Sequence, residues 1–147
     1  MKARALTFVA ASLLALASCT TNPLRALVAC KGACDVTVPV VKNGNTCTIG
    51  PLSVEHIDIA PDPQPTVIKW TISGDASFRF DRPNGVAFDK PTGAPPSHIM
   101  QNGKGGARTV TVTDKHTGPE TKGKWWYTIY VTDGTIRCKH DPSVDNN

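Results

Sequence analysis

The fold class is decided by residues 34–49, which read CDVTVPVVKNGNTCTI. From residue 36 to residue 40 valine occupies every second position, and this period of two is typical of a half-buried β-strand. Asn43-Gly44 is a strong signal for a tight hairpin turn, and a second strand-like segment follows it. The stretch therefore predicts a β-hairpin. Because Pro39 has no N–H to donate, we expect its strand to lie at the edge of a sheet.

Further short strand candidates follow this hairpin at regular intervals. They are separated by turn-forming residues, chiefly Gly, Pro, Asn and Asp, and no segment has helical periodicity. The candidates are Leu52–Ile59, Thr66–Ile72, Ser77–Asp81, Gly85–Phe88, Ser97–Gln101, Thr109–Asp114, Lys124–Val131 and Thr135–Lys139. The sequence therefore predicts an all-β protein with a single β-sandwich of about eight strands over residues 34–141. We expect residues 142–147 to be a disordered tail.

The amino-terminal residues have the pattern of a secretory signal peptide. Met1-Lys2-Ala3-Arg4 is a short basic start, and an apolar run extends from Ala5 to Ala17. The run is too short for a transmembrane helix, which needs roughly 20 apolar residues, and polar residues follow it directly. We therefore expect residues 1–18 to be removed during export.

The end of the apolar run carries a second signal. Leu16-Ala17-Ser18-Cys19 places an aliphatic residue and two small residues before a cysteine, and this resembles the lipobox of bacterial lipoproteins. The resemblance implies that the Cys19 thiol receives a diacylglycerol, that the new amino terminus is acylated, for instance with palmitate, and that residues 19–33 form a lipidated tether. Thr20 stands where an aspartate would resemble an inner-membrane retention signal, which favours the outer membrane. The alternative is ordinary cleavage after Ala17, which leaves Cys19 as a free thiol.

The length and the net charge of the chain limit which classes of function are possible. The 147 residues fit one domain. The chain has 16 Lys+Arg against 12 Asp+Glu. Loss of Lys2 and Arg4 with the signal leaves 14 positive against 12 negative residues, a net charge of +2. This charge is too mild to indicate a nucleic-acid partner.

The five cysteines fit an exported chain. Lipidation of Cys19 leaves an even number, which predicts two disulfides in an oxidising compartment. The remaining cysteines are Cys30, Cys34, Cys47 and Cys138. They allow three pairings, and the sequence leaves all three open. The alternatives are free thiols or a metal bound by the first two cysteines, although no second Cys or His cluster completes a zinc set.

Three features resemble the immunoglobulin-like and cupredoxin-like sandwiches of exported bacterial proteins. They are a cysteine in the first hairpin, Trp70 in an apolar strand, and Tyr127 with Tyr130 in the penultimate strand. The similarity covers residues 34–139 and implies an architecture rather than a chemistry. No Tyr-x-Cys pattern precedes Cys138, so the inter-sheet disulfide of antibody domains is not carried over.

The cupredoxin resemblance raises a copper site as the alternative function. Blue-copper sites use two histidines, a cysteine thiolate and usually a methionine. This chain has Cys138 next to Lys139-His140, with His98 and Met100 elsewhere, but in cupredoxins the Cys, one His and the Met cluster on a closing loop. Cys138 is also needed for an even number of disulfide cysteines. We therefore predict no metal and no other cofactor, and interpret all four histidines as surface residues: His56, His98, His116 and His140.

Motifs of catalysis are missing from the sequence. Glu55 and Glu120 are the only glutamates and are far apart, and no serine lies in a Gly-x-Ser-x-Gly context. Residues 103–108, GKGGAR, lack the spacing and the following helix of a phosphate-binding loop, so we interpret them as a hairpin tip. We predict that the protein is not an enzyme, and a hydrolase assembled from distant residues is the third hypothesis.

Trp125-Trp126-Tyr127 is the most informative aromatic cluster. Because neighbouring residues on a strand face opposite sides, one face of this strand is predicted to enter the core: Trp125, Tyr127, Ile129 and Val131. Trp126 and Tyr130 then face outward and form a candidate binding surface for a glycan, a peptide or a protein. In the alternative, the tether or a long loop covers both aromatics.

Together these patterns predict an exported structural or binding module of the cell envelope. We expect it to contact the membrane through a lipid on Cys19, at the outer membrane facing the periplasm or the exterior. A cupredoxin-like copper-binding protein is the alternative from another class.

Overall fold

The computed structural model describes residues 27–59, 65–89, 103–114 and 123–146. Cys19, the signal peptide and the strand candidate Ser97–Gln101 lie outside these residues. The described residues form twelve strands: β1 (Leu27–Cys30), β2 (Ala33–Asn43), β3 (Thr46–Ile49), β4 (His56–Ile59), β5 (Thr66–Gly74), β6 (Arg79–Phe80), β7 (Asn84–Asp89), β8 (Gly103–Lys104), β9 (Thr109–Asp114), β10 (Gly123–Thr132), β11 (Arg137–His140) and β12 (Ser143–Asn146). Within these ranges no helix is long and apolar enough to cross a membrane.

The strands form two sheets packed as a β-sandwich, which confirms the predicted fold class. The small sheet has four strands in the order β3-β2-β5-β9. The large sheet has eight strands, with the order β1-β4-β12-β10-β7-β8, and β6 and β11 also pair with β10. β10 is therefore the central strand of the large sheet, and its two faces decide what the protein buries and what it exposes.

Aromatic side chains join the two sheets in the core. Trp70 on β5 lies edge-on to Tyr127 on β10, with ring centroids 5.4 Å apart, and 6.1 Å from Phe88 on β7. The Trp70 Nε1–H donates a hydrogen bond to the Tyr127 hydroxyl oxygen at 3.4 Å. Burial raises the pKa of Tyr127 well above its usual range, against the opposing effect of that hydrogen bond. The hydroxyl therefore stays neutral and serves as a structural acceptor.

The carboxyl-terminal residues correct one expectation from the sequence. The disordered tail predicted for residues 142–147 is wrong, because Ser143–Asn146 form β12 between β4 and β10. Val144 is fully buried and pairs with Trp125 in the ladder. A single buried valine in a polar segment gives no periodic signal, so the sequence alone did not indicate this strand.

Residues before the predicted domain boundary at residue 34 also form β-structure, although we expected a tether there. The tether predicted for residues 19–33 is wrong over residues 27–33, where β1 pairs in parallel with β4 in the large sheet. The chain then crosses at Gly32, whose φ is 75°, and β2 pairs in parallel with β5 in the small sheet. A residue with a side chain is strained at such a φ, so glycine suits this crossing.

Pro39 is accommodated in a way that the sequence did not predict. Its strand β2 is not an edge strand, because it lies between β3 and β5. The ladder with β3 extends from the hairpin turn only as far as the pair Val40–Ile49, so it stops next to Pro39 without including it. The Pro39 carbonyl faces that side and accepts the Gly50 N–H at 2.9 Å. The proline nitrogen therefore lies just beyond the end of the ladder, where no N–H is needed.

Two disulfides tie strands of different sheets together. Cys47 on β3 is bonded to Cys138 on β11, across 91 residues of sequence. Cys30 on β1 is bonded to Cys34 on β2, across only 4 residues, at the crossing between sheets. The predicted pairing of all four cysteines is confirmed, and the connectivity that the sequence left open is 30–34 and 47–138.

The two disulfides should differ in their effect on stability. In the chain-entropy model a loop the size of that closed by Cys47–Cys138 is worth about 4–5 kcal/mol, and one the size of the Cys30–Cys34 loop about 2 kcal/mol. Urea unfolding of the two double variants, C47A/C138A and C30A/C34A, measures this difference. If C30A/C34A lost as much unfolding free energy as C47A/C138A, or more, the Cys47–Cys138 disulfide would not be the main stabilising link.

Candidate functional site

The outer face of the large sheet carries the aromatic surface predicted from the sequence. We define the outer face as the side chains of this sheet that point away from the small sheet. On β10 the alternation follows the prediction: Trp125, Tyr127, Ile129 and Val131 are fully buried. Trp126 is 53% exposed, which is the largest exposure of any tryptophan in the chain. The large sheet therefore presents one indole to solvent.

Polar groups surround Trp126 on the neighbouring strands. In the ladder it pairs with Asp89 of β7 on one side and with Ser143 of β12 on the other. The Lys124 Nζ lies 4.8 Å from the centre of the Trp126 ring, within cation–π range. An aromatic ring flanked by an exposed carboxylate and a cation can stack on the apolar face of a ligand, while the charged groups hydrogen-bond to its edges.

Tyr130 is less available than the sequence suggested. Its ring is covered by Arg137, whose guanidinium carbon lies 4.4 Å from the ring centre, and the tyrosine is only partly exposed. It is four residues from Trp126 along β10, about 13 Å at ~3.3 Å per residue. Thr128, which is only 9% exposed, lies between them on the same face. A small ligand cannot contact both rings, so only an extended ligand uses the whole row.

A hydrogen-bonded set that the sequence did not indicate lies beside Trp126. The His56 ring contacts the Ser143 hydroxyl through Nδ1 at 2.8 Å and the Asp145 carboxylate through Nε2 at 2.9 Å. Hydroxyl, imidazole and carboxylate are the components of nucleophilic catalysis. Ser143 is only 7% exposed, however, so its hydroxyl presents little surface to a substrate. The contacts tie β12 to β4 and fix the polar margin of the outer face.

A second histidine–carboxylate contact lies close by. Glu55 accepts the Leu52 N–H at 2.8 Å, and its other oxygen lies 3.0 Å from His140 Nε2. These contacts fasten the loop before β4 to the end of β11. The parallel pairing of β12 with β4 creates the His56 contacts, whereas the His140 contact joins β11 to the loop before β4. Both contacts join residues that are distant in sequence, so sequence spacing gives no indication of them.

The residues of the copper hypothesis are not assembled in the described part of the chain. The Cys138 sulfur is bonded to Cys47 and is not a thiolate. His140 contacts Glu55, while His98 and Met100 lie outside the described residues. Among the residues that the structure describes, no group of three or more His, Cys, Asp and Glu side chains is arranged to hold a metal ion.

One carboxylate outside the aromatic surface, that of Asp133, has a strongly lowered pKa. Asp133, in the turn after β10, accepts a hydrogen bond from Lys42 Nζ at 2.7 Å and two more from the backbone N–H groups of Thr135 and Ile136. The Lys42 contact, followed by the backbone N–H groups, holds the pKa of Asp133 far below its usual range. Hydrogen bonds from Ser77 lower the pKa of Asp75 in the same way.

Comparison with known proteins gives this chain no family assignment. No protein-family model, curated protein or solved structure matches it.

The two faces of β10 should respond differently to truncation. Tyr127→Ala removes a fully buried ring and should cost about 3–5 kcal/mol of unfolding free energy. Trp126→Ala should cost within about 0.5 kcal/mol, as surface substitutions usually do. Thermal and urea unfolding of both variants measures the contrast. If Trp126→Ala unfolds the domain, the exposed indole is a core residue and the outer face is not a binding surface.

The Asp133 contacts predict a specific loss of stability in acid. A carboxylate with a lowered folded-state pKa contributes stability that is present above its unfolded value, about 3.8, and that is lost as pH falls through the folded value. Asp133→Asn should therefore make the unfolding free energy decline less steeply below about pH 4. Part of the decline should remain, because Asp75 also has a lowered pKa. Asp35→Asn, which removes the exposed partner of Lys69, is the matched control. Parallel curves for wild type and Asp133→Asn would contradict the assignment.

Proposed function

We propose that the protein is an exported, lipid-anchored binding module of the cell envelope, and that its outer face around Trp126 binds a glycan strand. The observation that carries the proposal is the 53% exposure of Trp126 at the centre of a polar sheet face. An indole is costly to leave in water, and an exposed aromatic ring commonly anchors an interaction.

A glycan suits the chemistry of this surface better than an apolar partner. The ladder neighbour of Trp126 on β7 is the exposed Asp89 carboxylate, and Lys124 lies over the Trp126 ring. Sugar rings combine an apolar face that stacks on indole with hydroxyls that bond to such groups. The partly exposed Tyr130 further along β10 suits a ligand of several units.

Export and anchoring are supported by other observations. Two disulfides in a small domain are typical of an oxidising compartment. The Leu16-Ala17-Ser18-Cys19 sequence, which resembles a lipobox, lies a few residues before β1 begins at Leu27. A lipid at Cys19 would hold the domain close to a bilayer, and thereby close to envelope glycans.

Binding to purified peptidoglycan sacculi tests the glycan proposal. Full-length protein should sediment with sacculi, and Trp126→Ala should weaken the binding about 30-fold, as loss of an aromatic anchor does. Trp126→Phe, which keeps a ring, should recover part of the affinity. Val67→Ala truncates another exposed apolar side chain, on the small sheet, and should bind as wild type. No sedimentation of wild type, or equal binding by Trp126→Ala, would overturn the proposal.

Intact-mass analysis of membrane-extracted protein tests the anchor. The mature chain should begin at Cys19 and carry a diacylglycerol and an amide-linked acyl chain, as the resemblance to lipoproteins implies. These several chains would anchor it firmly, whereas a single acyl chain anchors only marginally. Cys19→Ser should remain unlipidated and leave the membrane fraction after signal cleavage, or stay uncleaved. An unmodified mature terminus in the wild type would contradict the lipoprotein assignment.

A further inference from the structure

A cleft at one end of the large sheet is separate from the Trp126 surface. Its volume is about 410 Å³, which lies in the range of about 300–1,000 Å³ typical of small-molecule sites. It opens where β6, the turn after β8 and the turn after β10 meet. The side chains and glycine that matter for its chemistry are Arg79, Asp81, Arg82, Gly106, Thr132 and Asp133.

Both carboxylates of the cleft are already neutralised by partners. Asp81 accepts a hydrogen bond from Arg137 Nε at 2.6 Å. Asp133 accepts one from Lys42 Nζ at 2.7 Å, and two backbone N–H groups bind it as well. The Thr132 hydroxyl is also occupied, because it donates to the Ile136 carbonyl at 2.8 Å. The acceptor groups of the cleft are therefore engaged within the protein.

The two arginines of the cleft differ from the other arginines that the structure describes. Arg108 donates to three backbone carbonyls at 2.8–3.1 Å, and Arg137 is bonded to Asp81 and stacked on Tyr130. Arg79 and Arg82 are exposed, and among the described residues neither guanidinium has a carboxylate or carbonyl partner. Within the part of the chain that the structure describes, no carboxylate or carbonyl therefore competes with a ligand for these guanidinium groups.

Glycine at the turn after β8 positions one of these guanidinium groups. Gly106 has a φ of 106°, and a Cβ there would lie 2.4 Å from Arg82 Nε. The guanidinium therefore packs directly against the glycine backbone. At Gly105 a Cβ would lie within 1.6 Å of the Asp81 carbonyl oxygen, so this residue also permits close approach. The hairpin tip predicted for residues 103–108 is wrong, because β8 pairs with β7 in the large sheet and β9 with β5 in the small sheet. The segment is instead a glycine-rich crossing between the sheets, and it closes one side of the cleft and supports Arg82.

We propose that this cleft binds a small phosphomonoester through Arg79 and Arg82. Four charged side chains line the cleft, and its two carboxylates are already paired with Arg137 and Lys42, so the two guanidinium groups remain to bind the anionic group of a ligand. Planar guanidinium groups bind the oxygens of a phosphate in pairs. The remaining volume accommodates the organic part of the ligand. The proposal does not depend on glycan binding at Trp126.

Titration of the full-length mature protein in detergent with methyl phosphate tests this site. Binding should saturate, with shifts in the Arg79 and Arg82 Nε–H signals in NMR spectra. Arg79→Gln and Arg82→Gln should each raise the dissociation constant about tenfold or more. Arg82→Lys should also weaken binding, because lysine lacks the planar fork. Lys69→Gln removes an equal charge on the small sheet and should bind as wild type.

A second ligand separates a soluble phosphomonoester from a lipid headgroup. Dimethyl phosphate has the singly charged diester group of a phospholipid, and it should bind more weakly than methyl phosphate. Equal or tighter binding of dimethyl phosphate would overturn the phosphomonoester assignment in favour of a phospholipid surface. If binding of methyl phosphate does not saturate, or if Lys69→Gln loses as much affinity as the arginine variants, no specific site exists. Trp126→Ala should leave the titration unchanged, so failure here is distinguishable from failure of the glycan proposal.

Discussion

The contact between Trp70 and Tyr127 is the constraint on which the arrangement of this sandwich depends. One residue comes from the middle of the small sheet and the other from the central strand of the large sheet, and both are fully buried. Their hydrogen bond gives the buried Trp70 N–H an acceptor in an apolar core, where an unpaired donor would cost about 1–3 kcal/mol. This contact fixes which face of β10 is directed inward.

That choice of face also determines the functional surface. Side chains alternate along a strand, so a shift of one residue in register would exchange the two faces completely. With Tyr127 held inside, Trp126 must point outward, between β7 and β12. The polar groups around it are likewise positioned by pairing with β10. The register of β10 thus determines both the composition of the core and the side chains on the candidate glycan surface.

Much of the sandwich could be predicted from local patterns, because alternation and turn residues are local properties. Thr109–Asp114 was predicted with its observed bounds, and Trp125 and Tyr127 lie on the face that was predicted to be buried, although alternation by itself also allowed the opposite face. β1 and β12 were missed because they are short and pair in parallel with β4, a long-range contact without a local signal. The cleft at Arg79 and Arg82 was missed for the same reason, since three separate segments build it.

Acrylamide quenching of tryptophan fluorescence tests the central claim, that the register of β10 buries Trp125 and exposes Trp126. The chain has three tryptophans, and Trp70 and Trp125 are fully buried. We predict that Trp126→Phe removes nearly all of the quenchable emission and leaves a blue-shifted spectrum that acrylamide barely affects. Strong quenching that persists in Trp126→Phe would show that another indole faces solvent, and would contradict the account.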